Sequence, residues 1–318
     1  MSIHPQAIAT AHELGENVMN SIRKVVVGKD IPLKKMLICL LAGGHVLLED
    51  VPGIGKTTLV HALAKSVRLD FHRIQFTPDL MPSDVTGFNI YNPKTSEFEF
   101  REGAANTQIL LADEINRSSP RTQSALLEAM QEHQVTVEGK TYRLPDPFMV
   151  MATQNPVENV GTYPLPEAQM DRFMMRISIG YPSYEEELEI VATNAMRRIE
   201  HDVAVVAEAD TIRWLREQVL EVTVNDGVKR YILDLCRATR TLDEVELGVS
   251  PRAAQMLFGA AQTLALLSGR DYVTPEDVQT LVHDVLDHRI ILTPQSRGRG
   301  LTSHDVVETI LHETKAPR

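Results

Sequence analysis

Lys56-Thr57-Thr58 stands directly behind a glycine-rich stretch, Asp50-Val51-Pro52-Gly53-Ile54-Gly55. Gly53 and Gly55 let the backbone turn several N–H groups toward one anion. Lys56 can then reach the terminal phosphates of a nucleotide, and the Thr57 hydroxyl can take a Mg²⁺ ion. A strict phosphate-loop pattern has glycine where this chain has Asp50, whereas its second half, Gly-x-Gly-Lys-Thr, is intact. A second pair of chemical groups, Asp113-Glu114, follows the apolar run Ile109-Leu110-Leu111-Ala112. Given the phosphate loop, Asp113 is expected to organise the Mg²⁺ sphere and Glu114 to activate the attacking water. A third group, Asn155, follows the run Phe148-Met149-Val150-Met151-Ala152-Thr153. Its amide either orients that water or caps a turn before Pro156.

These groups need elements to hold them. His45-Val46-Leu47-Leu48 reads as a strand, and Leu59, Leu63 and Val67 recur at helical spacing behind the lysine. Strand, loop and helix in this order are the context that a phosphate loop requires. The helix start adds its partial positive charge to the cradle. Apolar runs such as 109–112 and 148–153 suit strands covered on both faces. Their C-terminal ends, where an open parallel sheet gathers ligands, carry Asp113, Glu114 and Asn155.

Ahead of the loop, residues 4–25 form an amphipathic pattern with Leu14, Val18 and Ile22, and a second helix runs through Leu33, Leu37 and Leu40. The apolar turn between them, Val25-Val26-Val27-Gly28, either touches a base or ribose or packs in the core. His72–Phe76 reads as a strand, Thr77–Asp84 as a turn or short helix, and Tyr91–Arg101 as an inserted hairpin. Ser119-Pro120 opens a helix with inner residues Leu126, Leu127 and Met130. Residues 134–143 read as strand, Glu-Gly-Lys turn and strand. A short helix over Pro166–Phe173 and a strand over Met174–Ile179 lead to Tyr181-Pro182-Ser183-Tyr184, where the pattern turns helical. Helices are expected over about 184–199, 208–221, 227–243, 251–268, 275–290 and 303–313, with start signals at Ser250-Pro251 and Thr274-Pro275-Glu276-Asp277. The expected organisation is therefore an α/β core with a parallel sheet over 1–183 and a small all-helical lid over 184–318. Arg252, in the first turn of a lid helix, either reaches back to a γ-phosphate or sits in a surface ion pair.

A length of 318 residues suits two domains, and the net charge of -11 with 5% aromatic residues weighs against an extended nucleic-acid surface. Cys39 and Cys236 lie far apart in apolar segments, which suggests buried free thiols rather than a disulfide. The first thirty residues carry polar side chains throughout, and Ile38–Leu48 is broken by Gly43-Gly44-His45. A soluble, cytoplasmic protein without a signal peptide or membrane insertion is the expectation. No Asn-Lys-x-Asp guanine-reading element follows the loop, so ATP is favoured over GTP. No His-Glu-x-x-His occurs, and His283 and His288, on one helix with Asp284 and Asp287, read as a polar helix face.

Five segments together carry a resemblance: Glu49–Thr57, Leu111–Arg117, Ala152–Pro156, Leu165–Phe173 and Ser250–Ala253. In that combination the chain resembles the MoxR family of AAA+ ATPases from about residue 8 to about residue 312. The resemblance implies an AAA+ core with hairpins near 87–102 and 134–144, followed by the lid. It implies that Gly53, Ile54, Gly55, Lys56, Thr57 and Thr58 bind ATP, and that Thr57 and Asp113 hold Mg²⁺. Glu114 matches the water-activating acid, Asn155 the first sensor and Arg252 the second sensor. Arg172 matches an arginine finger that acts on a neighbouring subunit's nucleotide. Arg176 is a local rival, and a pairing of Arg172 with Asp171 or a lid acid is the alternative. The family further implies a ring, typically a hexamer, that remodels or activates proteins, often with a von Willebrand factor A domain partner. A nucleic-acid motor would need its hairpins to present a basic ring, and in the second hairpin only Lys140 and Arg143 are candidates, offset by Glu138. A chelatase-type metal-insertion subunit would differ from the first reading only in its partner.

Overall fold

Residues 3–51, 53–154, 161–191 and 201–317 are described by the computed structural model. Five strands form one parallel sheet: β1 (Val46–Glu49), β2 (Phe71–Gln75), β5 (Ile109–Asp113), β8 (Met149–Gln154) and β9 (Met175–Ile177), in the order β2-β5-β8-β1-β9. The apolar runs of β1, β5 and β8 are buried on both faces, as a covered parallel sheet requires. Alternation along each strand divides them between two clusters. Val46, Leu48, Ile109, Leu111, Met149 and Met151 face one cluster, and Leu47, Leu110, Ala112, Val150 and Ala152 face the other.

The first face is covered by α1 (Pro5–Ile22), α2 (Asp30–Ala42) and α3 (Lys56–Ser66). α2 stops where Gly43 adopts a φ of 72° and returns its N–H to Cys39 O and Leu40 O. The second face is covered by α5 (Pro120–Glu132), whose N-terminus is capped by the Ser119 hydroxyl accepting from Thr122 N–H. His45, buried at the start of β1, joins the layers. Its Nδ1 accepts from Val150 N–H at 2.9 Å and its Nε2 lies 3.1 Å from Met130 O.

A short helix, α4 (Pro82–Thr86), leads into a hairpin of β3 (Gly87–Asn92) and β4 (Glu97–Glu102). β6 (Gln134–Val137) and β7 (Lys140–Arg143) form a second hairpin. Its turn residues Glu138 and Gly139 have φ values of 50° and 81°, the left-handed pair of a tight two-residue turn. The hairpins touch: Phe100 stacks on Tyr142 with centroids 3.8 Å apart, and Asn89 donates to Glu138 at 2.7 Å. Phe88, Ile90, Tyr91 and Phe98 of the first hairpin are exposed.

After α6 (Glu167–Met170) and β9 come α7 (Tyr184–Val191), α8 (Ala209–Val219), α9 (Asp226–Ala238), α10 (Pro251–Leu267), α11 (Pro275–Leu286), α12 (Pro294–Gly298) and α13 (Ser303–Glu313). Their apolar faces join the cluster built on α1 and α2. Start signals operate as read: Ser250 accepts from Ala253 N–H, and Thr274 with Asp277 forms a capping box. The expectation of an all-helical lid needs one correction. β10 (Val245–Leu247) pairs antiparallel with β11 (Ile291–Leu292), so the helices expected over 227–243 and 275–290 end at Ala238 and Leu286. The last part of the helix expected over 184–199 lies outside the described residues.

Candidate active site

Gly53 and Gly55 have φ values of 86° and 91°, and a Cβ at either would meet nothing within 4 Å. The left-handed backbone, not lack of room, is therefore what requires glycine at both positions. Gly55 is the N-cap of α3 and, having no side chain, gives that helix start no cap hydrogen bond. A helix N-terminus opened by glycine in this way suits an anion. Lys56 Nζ donates to Asp50 O at 2.8 Å, folded back onto its own loop. Burial lowers the Lys56 pKa, while Asp50, Asp113 and Glu114 act to raise it. A phosphate would take over that carbonyl's role.

The loop faces the ends of β2, β5 and β8 across a cavity of about 360 Å³, whose walls include Lys56, Thr57, Arg73, Asp113, Glu114 and Thr153. Thr153 links the two acids. Its hydroxyl donates to Asp113 Oδ1 at 2.6 Å and accepts from Glu114 N–H at 2.8 Å. Glu114 sits at a φ of 55°, a conformation that costs a non-glycine residue about 1–2 kcal/mol. Its backbone N–H is thus pinned by Thr153, and its Oε2 accepts from Gln75 Nε2 at 2.6 Å and from Arg117 Nη1 at 3.0 Å. Arg73, two residues before Gln75 on β2, donates to Asp113 Oδ2 at 2.7 Å. Asp113 and Glu114 therefore diverge from one strand end, one toward Thr153 and Arg73 and the other toward Gln75 and Arg117. Two carboxylates beside a lysine and a threonine hydroxyl suit the oxygen ligands that Mg²⁺ prefers.

Thr153, Arg73 and Gln75 escaped the sequence reading. A usable signal was present in β2: Arg73 and Gln75 alternate on one face of a strand whose register sets Gln75 opposite Asp113.

A second cavity of about 440 Å³ adjoins the first through Gly53, Gly55 and Thr58, and its apolar wall includes Val25, Val26, Val27, Ile54, Tyr181 and Ile190. Val25 is also buried in the core and Val26 packs against it, so the valine turn serves the core and lines this cavity at once.

Asp50 accepts from Ser178 Oγ at 2.8 Å and from the N–H groups of Ile179 and Gly180. The departure from glycine therefore ties the loop to the chain behind β9. Neither Arg172 nor Arg252 lines the phosphate cavity. Arg172 follows α6 and is half-buried. Its neighbour Asp171 is held instead by the buried Arg289, at 2.8 Å, and by Ser250 Oγ, at 3.0 Å. Arg176 is paired with Glu49 at 3.1 Å. Arg252 occupies the first turn of α10, and its charge is one of the causes that lower the pKa of Arg289 after burial itself. Asn155 lies outside the described residues.

Comparison with known proteins agrees with this geometry. Residues 45–175 match the model described as "ATPase family associated with various cellular activities (AAA)" and residues 237–310 match "AAA lid domain". The chain is 53% identical to the Bacillus subtilis (strain 168) protein YeaC, with 96% of each covered. It is 41% identical to Chaperone MoxR1 of Mycobacterium tuberculosis, covering 98% of this chain and 84% of that one. A crystal structure from Cytophaga hutchinsonii, described as a "putative ATPase", superposes with a TM-score of 0.90 at 42% identity over 98% of both chains.

Proposed function

The chain belongs to the MoxR family of AAA+ ATPases, and on that footing we propose that it hydrolyses ATP to ADP and phosphate to remodel or activate other proteins. The observation that carries this is the meeting of Lys56, Thr57, Asp113 and Glu114 in one cavity, with Thr153 fixing both acids. Gly53 to Thr58 bind the phosphates, and Ile54 with Val25–Val27 receives the base. Mg²⁺ held by Thr57 and Asp113 would supply charge neutralisation at the β- and γ-phosphates. Glu114 takes a proton from water as its oxygen attacks the γ-phosphorus and the bond to the bridging oxygen breaks. Asn155 orients that water, and Arg252 reads the γ-phosphate from the lid. The working division is a core over 1–183 and a lid over 184–318.

Arg172 acts in trans within a ring, most simply a hexamer. Supporting this, Asp171 is committed to Arg289 and Ser250 and Arg176 to Glu49, which speaks against Arg176 as the finger and against an Arg172–Asp171 pair. Trans arginines contribute about 10³–10⁵ in rate, so a monomer should turn over slowly. The exposed Phe88, Ile90, Tyr91 and Phe98 suit a protein partner, such as one with a von Willebrand factor A domain, better than nucleic acid. No helix among the described residues is long and apolar enough to cross a membrane, and a cytoplasmic site of action fits the proposal.

One set of assays tests the mechanism. Glu114→Gln should keep ATP binding and lose turnover, whereas Lys56→Ala should lose binding. Mixing Arg172→Ala with Lys56→Ala subunits should restore part of the activity that each lacks alone. Hydrolysis by Glu114→Gln within a few-fold of wild type would overturn the catalytic assignment. Co-assembled mutants without any recovery would overturn the trans role.

A further inference from the structure

Outside the nucleotide cavities, one group of potential metal ligands among the described residues lies where α11 runs into the 3₁₀ turn Asp287–Arg289 and meets α13. His283, Asp287 and His304 each offer one ligand atom there, all within 4.8 Å of one another. His283 Nδ1 lies 3.1 Å from Asp287 Oδ1 and 3.3 Å from Oδ2, and His304 Nδ1 lies 3.1 Å from Oδ2. Glu308 stands behind His283, with its Oε1 2.8 Å from His283 Nε2. The two imidazole centroids are 4.0 Å apart. His283 with Asp287 and His304 with Glu308 are both spaced i, i+4, so each pair occupies one helical face and the two faces meet.

When Glu308 accepts the Nε2–H of His283, the Nδ1 lone pair faces the Asp287 carboxylate with no hydrogen between them, which is how two ligands stand around a shared cation. Four ligands placed about 2.0–2.1 Å from a tetrahedral ion lie about 3.3 Å from each other. The 3.1 and 3.3 Å separations around Asp287 already have that size. Glu308 would serve as the outer carboxylate that fixes a ligating histidine's tautomer. Asp287 has 11% of its side chain exposed and His304 59%, so the site has a buried anchor and a solvent entrance for a water ligand.

We propose that His283 Nδ1, Asp287 and His304 Nδ1 bind a divalent transition metal of the zinc type, oriented by Glu308. Two imidazoles select such an ion over Mg²⁺ and Ca²⁺, which take oxygen ligands. The ion would fasten α13 to the turn that carries Arg289, and through Arg289 to Asp171 beside Arg172.

The test is calorimetric titration of the tag-free, chelator-treated full chain with Zn²⁺ in excess Mg²⁺, with Co²⁺ absorption as a second readout. Expected are one Zn²⁺ per chain at micromolar affinity or tighter, a Co²⁺ spectrum of tetrahedral intensity, and a raised Tm. Glu308→Gln should weaken binding by about 10–100-fold, and His304→Gln, the loss of a direct ligand, by at least that much. His304 is exposed, so its variant remains informative if the buried Asp287→Asn fails to fold. Binding no tighter than millimolar in wild type would overturn the proposal. So would Zn²⁺ binding that His283→Gln and His304→Gln leave unchanged, because the ion would then sit elsewhere.

Discussion

Replacing Thr153 with valine keeps the shape of a fully buried side chain and removes one hydroxyl. That hydroxyl donates to Asp113 Oδ1 at 2.6 Å and accepts from Glu114 N–H at 2.8 Å. A hydrogen bond to a charged group contributes about 1.5–3 kcal/mol, and stranding a buried donor costs about 1–3 kcal/mol. The strand end is only partly buried, so the expected loss is about 2–4 kcal/mol, or roughly 3–6 °C in Tm for a chain of this size. Catalysis should suffer more. Glu114 is held in a left-handed conformation by this bond, and its release lets the carboxylate drift. A displacement of about 1 Å can cost roughly 10²-fold in kcat. KM for ATP should change little, since the phosphate loop and Lys56 are untouched. Thr153→Ser retains both bonds and should recover most of the activity and stability. The assays are steady-state phosphate release and thermal unfolding. A valine variant with wild-type kcat and Tm would refute the reasoning. So would a serine variant as damaged as the valine one, which would assign the effect to packing.

The remaining predictions concern the core and the hairpins. Burial pushes the His45 pKa down to about 3, from about 6.5 in an unfolded chain. Its contribution to stability is therefore complete above that unfolded value and is lost as pH falls toward the folded one, by about 1.4 kcal/mol at pH 5.5. Burial shifts His288 and His133 in the same direction, so His45→Gln should remove only part of the acid sensitivity seen in denaturation midpoints. An unchanged pH slope in that variant would contradict the assignment. The hairpins should not bind DNA or RNA, because Lys94, Arg101, Lys140 and Arg143 are offset by Glu97, Glu99, Glu102 and Glu138. Micromolar binding at ~0.15 M salt that Lys140→Glu/Arg143→Glu abolishes would reverse this reading.

Local patterns made the phosphate loop, the five sheet strands and most helix starts legible, since each is encoded in fewer than about ten consecutive residues. Partners brought in by the sheet were harder to see. Thr153 looked like the last residue of an apolar strand, and only the pairing of β5 with β8 sets it beside Asp113 and Glu114. The β10–β11 pair escaped because strands of three and two residues cannot show a period against helical flanks. His283 and Asp287 read as a polar helix face because the other half of their cluster, His304 and Glu308, comes from a different helix. Arg289 was invisible for the same reason: its partner Asp171 lies 118 positions away.

Asp50 shows how a departure from a pattern can be structural without weakening the site. Its carbonyl accepts from Lys56 Nζ at 2.8 Å, while its carboxylate accepts from Ser178 Oγ at 2.8 Å, from Ile179 N–H and from Gly180 N–H at 3.3 Å. On the other side of the same segment, the buried Lys29 donates to Ile179 O at 3.3 Å and Gly180 O at 3.1 Å. Residues 179 and 180 are thus gripped through both N–H and C=O groups, by the phosphate loop and by the start of α2. The next two residues, Tyr181 and Pro182, already line the apolar cavity, and α7 begins at Tyr184. A glycine at position 50 could keep the Lys56 contact but would lose every carboxylate bond. A phosphate that drew Lys56 from the Asp50 carbonyl would exchange one bond of this loop and leave the carboxylate bonds in place. The passage from sheet to α7 would therefore stay attached to the phosphate loop through that exchange.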